Sequence, residues 1–281
     1  MASQLKIVAT PIGNVRDISL RAIDEIKRAD VIFAEDTRHS RQLITALGID
    51  LKPNCRLISC DAFKEGQRIE AVVKRLLAND NVLLMSDAGC PTISDPGSLL
   101  VQGVIAQGLK VEVIPGPSAH SAALMGAGID TTRFAFLGFL PQKKTARKNY
   151  IMNAWATGFS LVIYESPLRV NKLLVELFEL LGSSRVVVAR ELTKLHETFH
   201  RGCLGSPLAP PVVEKGECVV VVEANSRKKQ SEASKEPPDL NDFIAKALAQ
   251  GGSAKDIARD VAKLFNMKKK TAYQLIVKTQ S

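Results

Sequence analysis

Short apolar runs alternate with helical stripes along the N-terminal half of the chain. Leu5–Ala9 is a brief apolar run. Ser19–Ala29 follows, with Leu20, Ile23 and Ile26 at helical spacing and Ser19 placed as an N-cap. Val31–Ala34 reads as the next strand, and Arg41–Leu47 as a helix closed by Gly48. Gln67–Ala78 carries Ile69, Val72, Val73, Leu76 and Leu77 on one stripe. Asn81–Met85 reads as a buried strand, Gly97–Gln107 as a helix and Val111–Ile114 as a strand. Strand–helix alternation of this kind predicts a largely parallel sheet covered on both faces.

Pro115-Gly116-Pro117 interrupts the pattern, and Ser118 is placed to cap a small-residue helix, Ala119–Ala127. The boundary between two α/β lobes is expected here, the first spanning 1–116 and the second 117–225. In the second lobe Phe134–Phe139, Ser160–Glu165, Arg185–Arg190 and Glu217–Glu223 read as strands, with a helix over Leu168–Leu181. Val186–Ala189 and Val219–Val222 are uninterrupted and mostly β-branched, which predicts central strands. Residues 226–238 are polar, charged and proline-terminated and are expected to form a flexible linker. The remaining segment, 239–281, is read as a small basic helical domain with helices at Leu240–Ala249, Ala254–Phe265 and Lys269–Lys278. Gly251-Gly252 parts the first two, and Asn266-Met267-Lys268 makes the turn between the last two, the outline of a helix-turn-helix.

Charge sharpens the picture of that tail. The 281 residues carry a formal net charge of +9, and from Ser226 onward 12 Lys and Arg stand against 6 Asp and Glu. Two thirds of the net charge thus sits in one fifth of the chain, which favours polyanionic partners such as nucleic acid or ribosomes. The five cysteines (Cys55, Cys60, Cys90, Cys203 and Cys218) form no CxxC pair. Reduced thiols and a cytoplasmic protein without metal are therefore expected. No apolar run is long enough for a membrane span, and the N-terminus does not read as a signal peptide.

His196-Glu197-Thr198-Phe199-His200 matches HExxH, but the preceding VVVAREL reads as a strand. On extended backbone, residues four apart lie roughly 13 Å from one another, too far to share a zinc ion. Neither a P-loop, nor GxGxxG after the first strand, nor a GxSxG elbow occurs.

Three loops after expected strands are dense in Gly, Pro, Asp and Ser. They are Thr10-Pro11-Ile12-Gly13-Asn14; Ser86–Pro91 continuing into Ile93-Ser94-Asp95-Pro96-Gly97; and Pro115–Ala119. Ligands of open α/β sheets bind beyond the C-terminal ends of the strands, and glycine lets backbone approach them closely. Asp87, at a strand end, can receive a ligand hydroxyl or ammonium.

The segments VATPIGNVRDISLRA, AEDTR, SDAGCPTISDPG, PGPSA, FLGFLP, YESPLR, ARELTK and KGECVVVVE stand in order across residues 8–223. In these the chain resembles the tetrapyrrole methylase superfamily, and within it the branch that methylates a ribose 2′-oxygen on a decoding-centre cytidine of small-subunit (16S) ribosomal RNA. The resemblance implies two α/β lobes, S-adenosylmethionine (SAM) in the cleft between them, a homodimer and a C-terminal helical appendage. Carried over by motif, Pro11, Ile12, Gly13, Asn14, Asp87, Ala88, Gly89, Ser118 and Ala119 line the SAM side from the first lobe. Tyr164, Glu165, Ser166 and Leu192, with Glu217 or Cys218, close it from the second. Two departures stand out: Cys60–Glu65 replaces a histidine-containing acidic segment, and Cys90 stands where threonine is usual.

Transfer of a methyl group to a ribose hydroxyl needs positioning and a carboxylate to orient the hydroxyl and take its proton. Glu35, Asp36, Glu165 and Glu191 are the candidates, although Asp36 beside Arg38 also reads as a structural ion pair. Arg38, Arg169 and Lys194 are candidate phosphate contacts near the target sugar, and Lys143, Lys144, Arg147, Lys148, Lys268, Lys269 and Lys270 candidate backbone contacts. Three other readings stay open: methylation of a small tetrapyrrole, a non-catalytic RNA- or ribosome-binding protein, and a helix-turn-helix DNA regulator.

Overall fold

The computed structural model describes residues 4–208, 210–224, 240–249, 253–265 and 267–280. They fall into two compact units, one ending at Ala224 and the other at the C-terminus.

The first unit contains two five-stranded sheets. The first sheet comprises β1 (Gln4–Val8), β2 (Val31–Ala34), β3 (Arg56–Ser59), β4 (Val82–Met85) and β5 (Lys110–Ile114) in the order β3-β2-β4-β1-β5, all parallel. Its helices are α1 (Leu20–Arg28), α2 (Thr37–Ala46), α3 (Glu65–Leu77) and α4 (Ser98–Ala106). Successive residues of a strand point to opposite faces. Ile32, Ala34, Leu83 and Met85 accordingly pack with Ala22, Ile26 and Ile44 of α1 and α2. Val31, Phe33, Val82 and Leu84 pack on the other face with Val72, Leu76, Leu100 and Val104 of α3 and α4. β2 and β4 are buried along their whole length, which is why they read as unbroken apolar runs.

The second sheet comprises β6 (Phe134–Phe139), β7 (Ser160–Glu165), β8 (Arg185–Arg190), β9 (Thr198–Cys203) and β10 (Cys218–Val222) in the order β6-β7-β10-β8-β9. Only β6–β7 is parallel. Period-two alternation again divides the core. Leu161, Ile163, Val186, Val188, Val220 and Val222 pack with Ile151 of α6 (Lys144–Trp155) and with Val170, Leu173 and Leu177 of α7 (Pro167–Leu181). Val162, Ala189, Val219 and Val221 face Ala123 of α5 (Ala119–Ala127), and Ile12 from the loop after β1 joins that cluster. The first sheet's loop is thereby anchored on the second sheet.

Ser19 caps α1 as expected, its hydroxyl accepting from the Ala22 N–H at 3.1 Å. Ser118 stands at the N-cap of α5 without a side-chain capping bond, because its Oγ lies 2.9 Å from His120 Nδ1 instead. The helix expected from Arg41 begins at Thr37, because the Asp36 carboxylate accepts the Arg38 N–H and starts the helix earlier.

In the second unit α8 (Leu240–Ala249), α9 (Ala254–Leu264) and α10 (Lys269–Gln280) enclose Ile244, Ile257, Val261, Ala272 and Ile276. Ser253 caps α9 through the Asp256 N–H. The expected linker 226–238, the Gly251-Gly252 break and Asn266 of the expected turn lie outside the described residues.

Candidate active site

Beyond the C-terminal ends of β1, β4 and β5 three loops are stitched together. Thr10 and Gly89 exchange backbone hydrogen bonds of 2.8 and 3.0 Å, and Thr10 Oγ1 donates to the Ser86 carbonyl at 3.2 Å. Gly89 has φ +85°, and the Cys90 thiol donates to the Pro117 carbonyl at 3.3 Å. Cys90 therefore ties two loops together. Thr92 and Ser94 lie in the left-handed region at φ 73° and 67°, a strain that clusters at functional sites.

These loops form one wall of a cavity of about 300 Å³ between the two sheets. The first-sheet wall includes Ile12, Ala88, Gly89, Cys90, Ser94, Asp95, Ser118 and Ala119. Opposite stand Tyr164, Glu165, Ser166 and Pro167 after β7, Ala189 and Leu192 at the end of β8, and Gly216–Val219 entering β10. Phe136 and Phe139 hold the Tyr164 ring edge-on at 4.9 and 5.6 Å. The Tyr164 hydroxyl accepts the His120 N–H at 3.2 Å, and burial pushes its pKa up to about 12. Tyr164 is therefore a fixed neutral hydrogen-bonding group.

The carboxylates divide by their partners. Glu165 accepts from the Ser166 N–H at 2.7 Å and the Arg169 guanidinium at 2.7 Å. Glu191 accepts from Lys194 Nζ and the Glu217 N–H, both at 3.0 Å. Asp36 chelates the Arg38 guanidinium, at 2.6 Å in the shorter contact, and this hydrogen bonding holds its carboxyl far below the usual range. A cation pairs with each of the three, and Asp36 and Glu191 are held below the usual carboxylate range.

The remaining group is different. Asp87 accepts the Asp36 N–H at 3.0 Å and the His39 Nδ1–H at 2.9 Å. Its own N–H donates to Glu35 at 3.3 Å, and burial raises the Glu35 pKa. Asp95 lines the cavity and is hydrogen-bonded by Ser86. Burial, then the charges of Glu35 and Asp87, push its pKa up to about 7.

The sequence profile of the tetrapyrrole (corrin/porphyrin) methylases matches residues 4–207. The chain belongs to this family. Its members are SAM-dependent methyltransferases. It is 37% identical over 282 aligned residues to the "Ribosomal RNA small subunit methyltransferase I" of Escherichia coli O157:H7, covering 99% of this chain and 96% of that one. The protein of the same name from Xylella fastidiosa is 43% identical, over 78% of this chain and 81% of that one. Among solved structures, the methyltransferase CobJ superposes with a TM-score of 0.60 at 17% identity, over 80% of this chain and 95% of that one. Diphthine synthase gives 0.62 at 15% identity, over 79% and 90%.

A methylase of this family needs a SAM pocket, and the cavity fits one. Gly89 exposes backbone beside it, and the walls mix apolar faces with hydrogen-bonding groups. Of the residues carried over by motif, Ile12, Ala88, Gly89, Ser118, Ala119, Tyr164, Glu165, Ser166 and Leu192 line the cavity, as do Glu217 and Cys218. Pro11, Gly13 and Asp87 line an adjoining cleft, and the Asn14 side chain accepts the Arg16 N–H, opening a 3₁₀ turn. Asp95 was missing from the candidates, although its loop was singled out. Cys60–Glu65 serves the fold: Cys60 is buried, and Glu65 accepts the Leu99 and Leu100 N–H groups at the start of α4.

Among the candidate RNA contacts, Lys143, Lys144 and Lys148 are exposed at the start of α6, and Lys268, Lys269 and Lys270 before and within α10. Arg147 is committed elsewhere, to Glu176 at 2.9 Å and to the Pro141 and Gln142 carbonyls. Arg38, Arg169 and Lys194 are paired with Asp36, Glu165, and Glu191 and Glu217 respectively. The HExxH segment crosses a turn into β9, and His200 Nδ1 bonds the Pro210 carbonyl. Among the described residues no group of His, Cys, Asp and Glu is arranged to hold a metal, and no helix is long and apolar enough to cross a membrane.

Proposed function

We propose that the protein transfers a methyl group from SAM to the ribose 2′-oxygen of a cytidine in the decoding centre of 16S ribosomal RNA. It acts on the small subunit, in the cytoplasm, as a homodimer. The observation that carries the reading is the near full-length match to a ribosomal RNA small subunit methyltransferase, which extends through the basic tail.

SAM, when bound, supplies an electrophilic methyl group on a sulfonium. Gly89, Ala88 and Ala119 offer it backbone from the first lobe, and Tyr164, Ser166 and Leu192 close over it from the second. Asp95 takes the 2′-hydroxyl proton. It faces the cavity, is surrounded by other carboxylates rather than by a cation, and its raised pKa suits a base working near neutrality. Glu165 and Glu191, fixed by Arg169 and Lys194, shape the second wall.

The reading is tested by offering methyl-labelled SAM with small ribosomal subunits, free small-subunit RNA, duplex DNA or a reduced tetrapyrrole. Subunits and RNA are taken from cells lacking the modification. Label is expected on RNA in one or both forms; label on the tetrapyrrole alone replaces the reading. Exposed lysines supply the phosphate contacts. Replacing Lys268, Lys269 and Lys270 together by Ala is expected to flatten the plot of log affinity against log salt by about 1 per lost contact, leaving SAM affinity unchanged. An unaltered slope removes these lysines from the interface.

A further inference from the structure

A second cleft, of about 340 Å³, opens on the other side of the loop that follows β1. Pro11 and Val15 form one wall and Leu43 and Ala46 of α2 another. Its polar groups are His39, Gln42 and Asp87. Cavity and cleft share a partition one backbone thick. Ile12 faces the cavity while Pro11 and Gly13 line the cleft, and Asp87 lines the cleft while Ala88 and Gly89 line the cavity.

That arrangement suits a reaction between two molecules. Both sheets wall the cavity, whereas the cleft is built by the first sheet's loops and α2 alone and is more open. A group still attached to a large polymer therefore enters the cleft more readily than the cavity. Glu35, whose carboxylate accepts the Asp87 N–H, and Asp95, on the cavity side, stand close enough to influence one another's charge. The carboxylate group therefore bridges the two spaces, where a sugar between them would lie.

The lining selects among planar rings. Apolar walls on both sides can sandwich a base, and an extruded base is read along its Watson–Crick edge. Asp87 offers only acceptors to a ligand, so it favours an exocyclic amine and repels a carbonyl in that place. The Gln42 amide can donate to the neighbouring ring nitrogen or carbonyl. Cytosine presents this donor–acceptor edge; uracil presents a carbonyl to Asp87.

We infer that this cleft receives the target nucleobase, an amino-bearing pyrimidine turned out of the RNA, with Asp87 and Gln42 reading its edge. The inference rests on the RNA-methylating reading and adds where the acceptor is recognised. Ala46 is exposed at the end of α2, so Ala46→Phe fills the cleft without entering the core.

The full-length protein and its Ala46→Phe and Gln42→Ala variants are compared for SAM affinity, KM on small-subunit RNA, and binding of cytidine and uridine 5′-monophosphate followed by NMR. Ala46→Phe is expected to raise KM and weaken cytidine monophosphate binding on the order of tenfold, with SAM affinity unchanged. Gln42→Ala is expected to narrow the preference for cytidine over uridine monophosphate. Wild-type KM in Ala46→Phe, or equal binding of both nucleotides by the wild type, overturns the inference. A wild type that binds cytidine monophosphate in the cleft yet methylates no RNA sinks the functional reading instead.

Discussion

Asp95→Asn is expected to lower kcat by about 10²–10⁴, the range for a lost general base, while SAM affinity changes little. Asparagine has the same shape and cannot accept the hydroxyl proton. The wild-type rate should climb as pH rises through about 7, where Asp95 ionises, and level off above it. The variant's residual rate should lack that limb. Stability moves the other way. Burial and the charges of Glu35 and Asp87 raise the Asp95 pKa above its ordinary value, so the folded protein holds this proton more tightly than the unfolded chain. Stability is therefore lost as pH rises from about 4 through about 7. Asn removes that loss and should stabilise the protein at pH 8 by about 1–2 kcal/mol, after allowing for partial exposure. The gain should vanish near pH 4. Unchanged kcat, or a pH limb retained in Asp95→Asn, shifts the proton acceptor to another group, Glu35 first.

Gly13→Val is expected to weaken SAM binding by about 100-fold, or about 2.7 kcal/mol. A Cβ at Gly13 would lie 2.5 Å from Lys194 Cγ, 2.8 Å from Thr193 Oγ1 and 2.9 Å from the Leu192 carbonyl oxygen. One of these contacts is with backbone, so rotating a side chain does not relieve the clash. The Glu191–Lys194 segment has little room to yield. Glu191 and Thr193 already sit at φ 52° and 65°, and the Glu191 and Glu217 carboxylates hold Lys194. The displacement falls on Leu192, which lines the cavity. Calorimetry checks the effect, with Gly13→Ala as the milder step. Wild-type affinity in both variants means the two loops do not shape the SAM pocket.

Much of this architecture was readable from the chain because alternation and loop chemistry are local. β2, β6, β7 and β8 span the residues expected of them; β2 is buried along its whole length, and the buried interiors of β7 and β8 carry no polar interruption. The loops at Thr10, Ser86 and Pro115 stood out by composition, and they meet around one cavity. Elements with weak patterns were missed. β3 and β9 are edge strands with mixed sequences, and α6 buries only Ile151, so its start showed only as a run of basic residues. Arg147 in that run is claimed by Glu176, 29 residues away, a pairing no local pattern reveals. Asp95 escaped for the same reason. Its chemistry depends on burial and on Glu35, which arrives from the loop after β2, as well as on Asp87 in its own loop. Pro11, Gly13 and Asp87, which the family motifs pointed to, line the cleft that adjoins the cavity.

Alkaline hydrolysis distinguishes methylation of a ribose oxygen from methylation of a base. A 2′-O-methyl group blocks cleavage of the adjacent phosphodiester. Small-subunit RNA labelled by the protein from methyl-labelled SAM should yield its label in one alkali-resistant dinucleotide beginning with cytidine. Label released wholly in mononucleotides would mean that a base, not a ribose, is methylated, and would contradict the account.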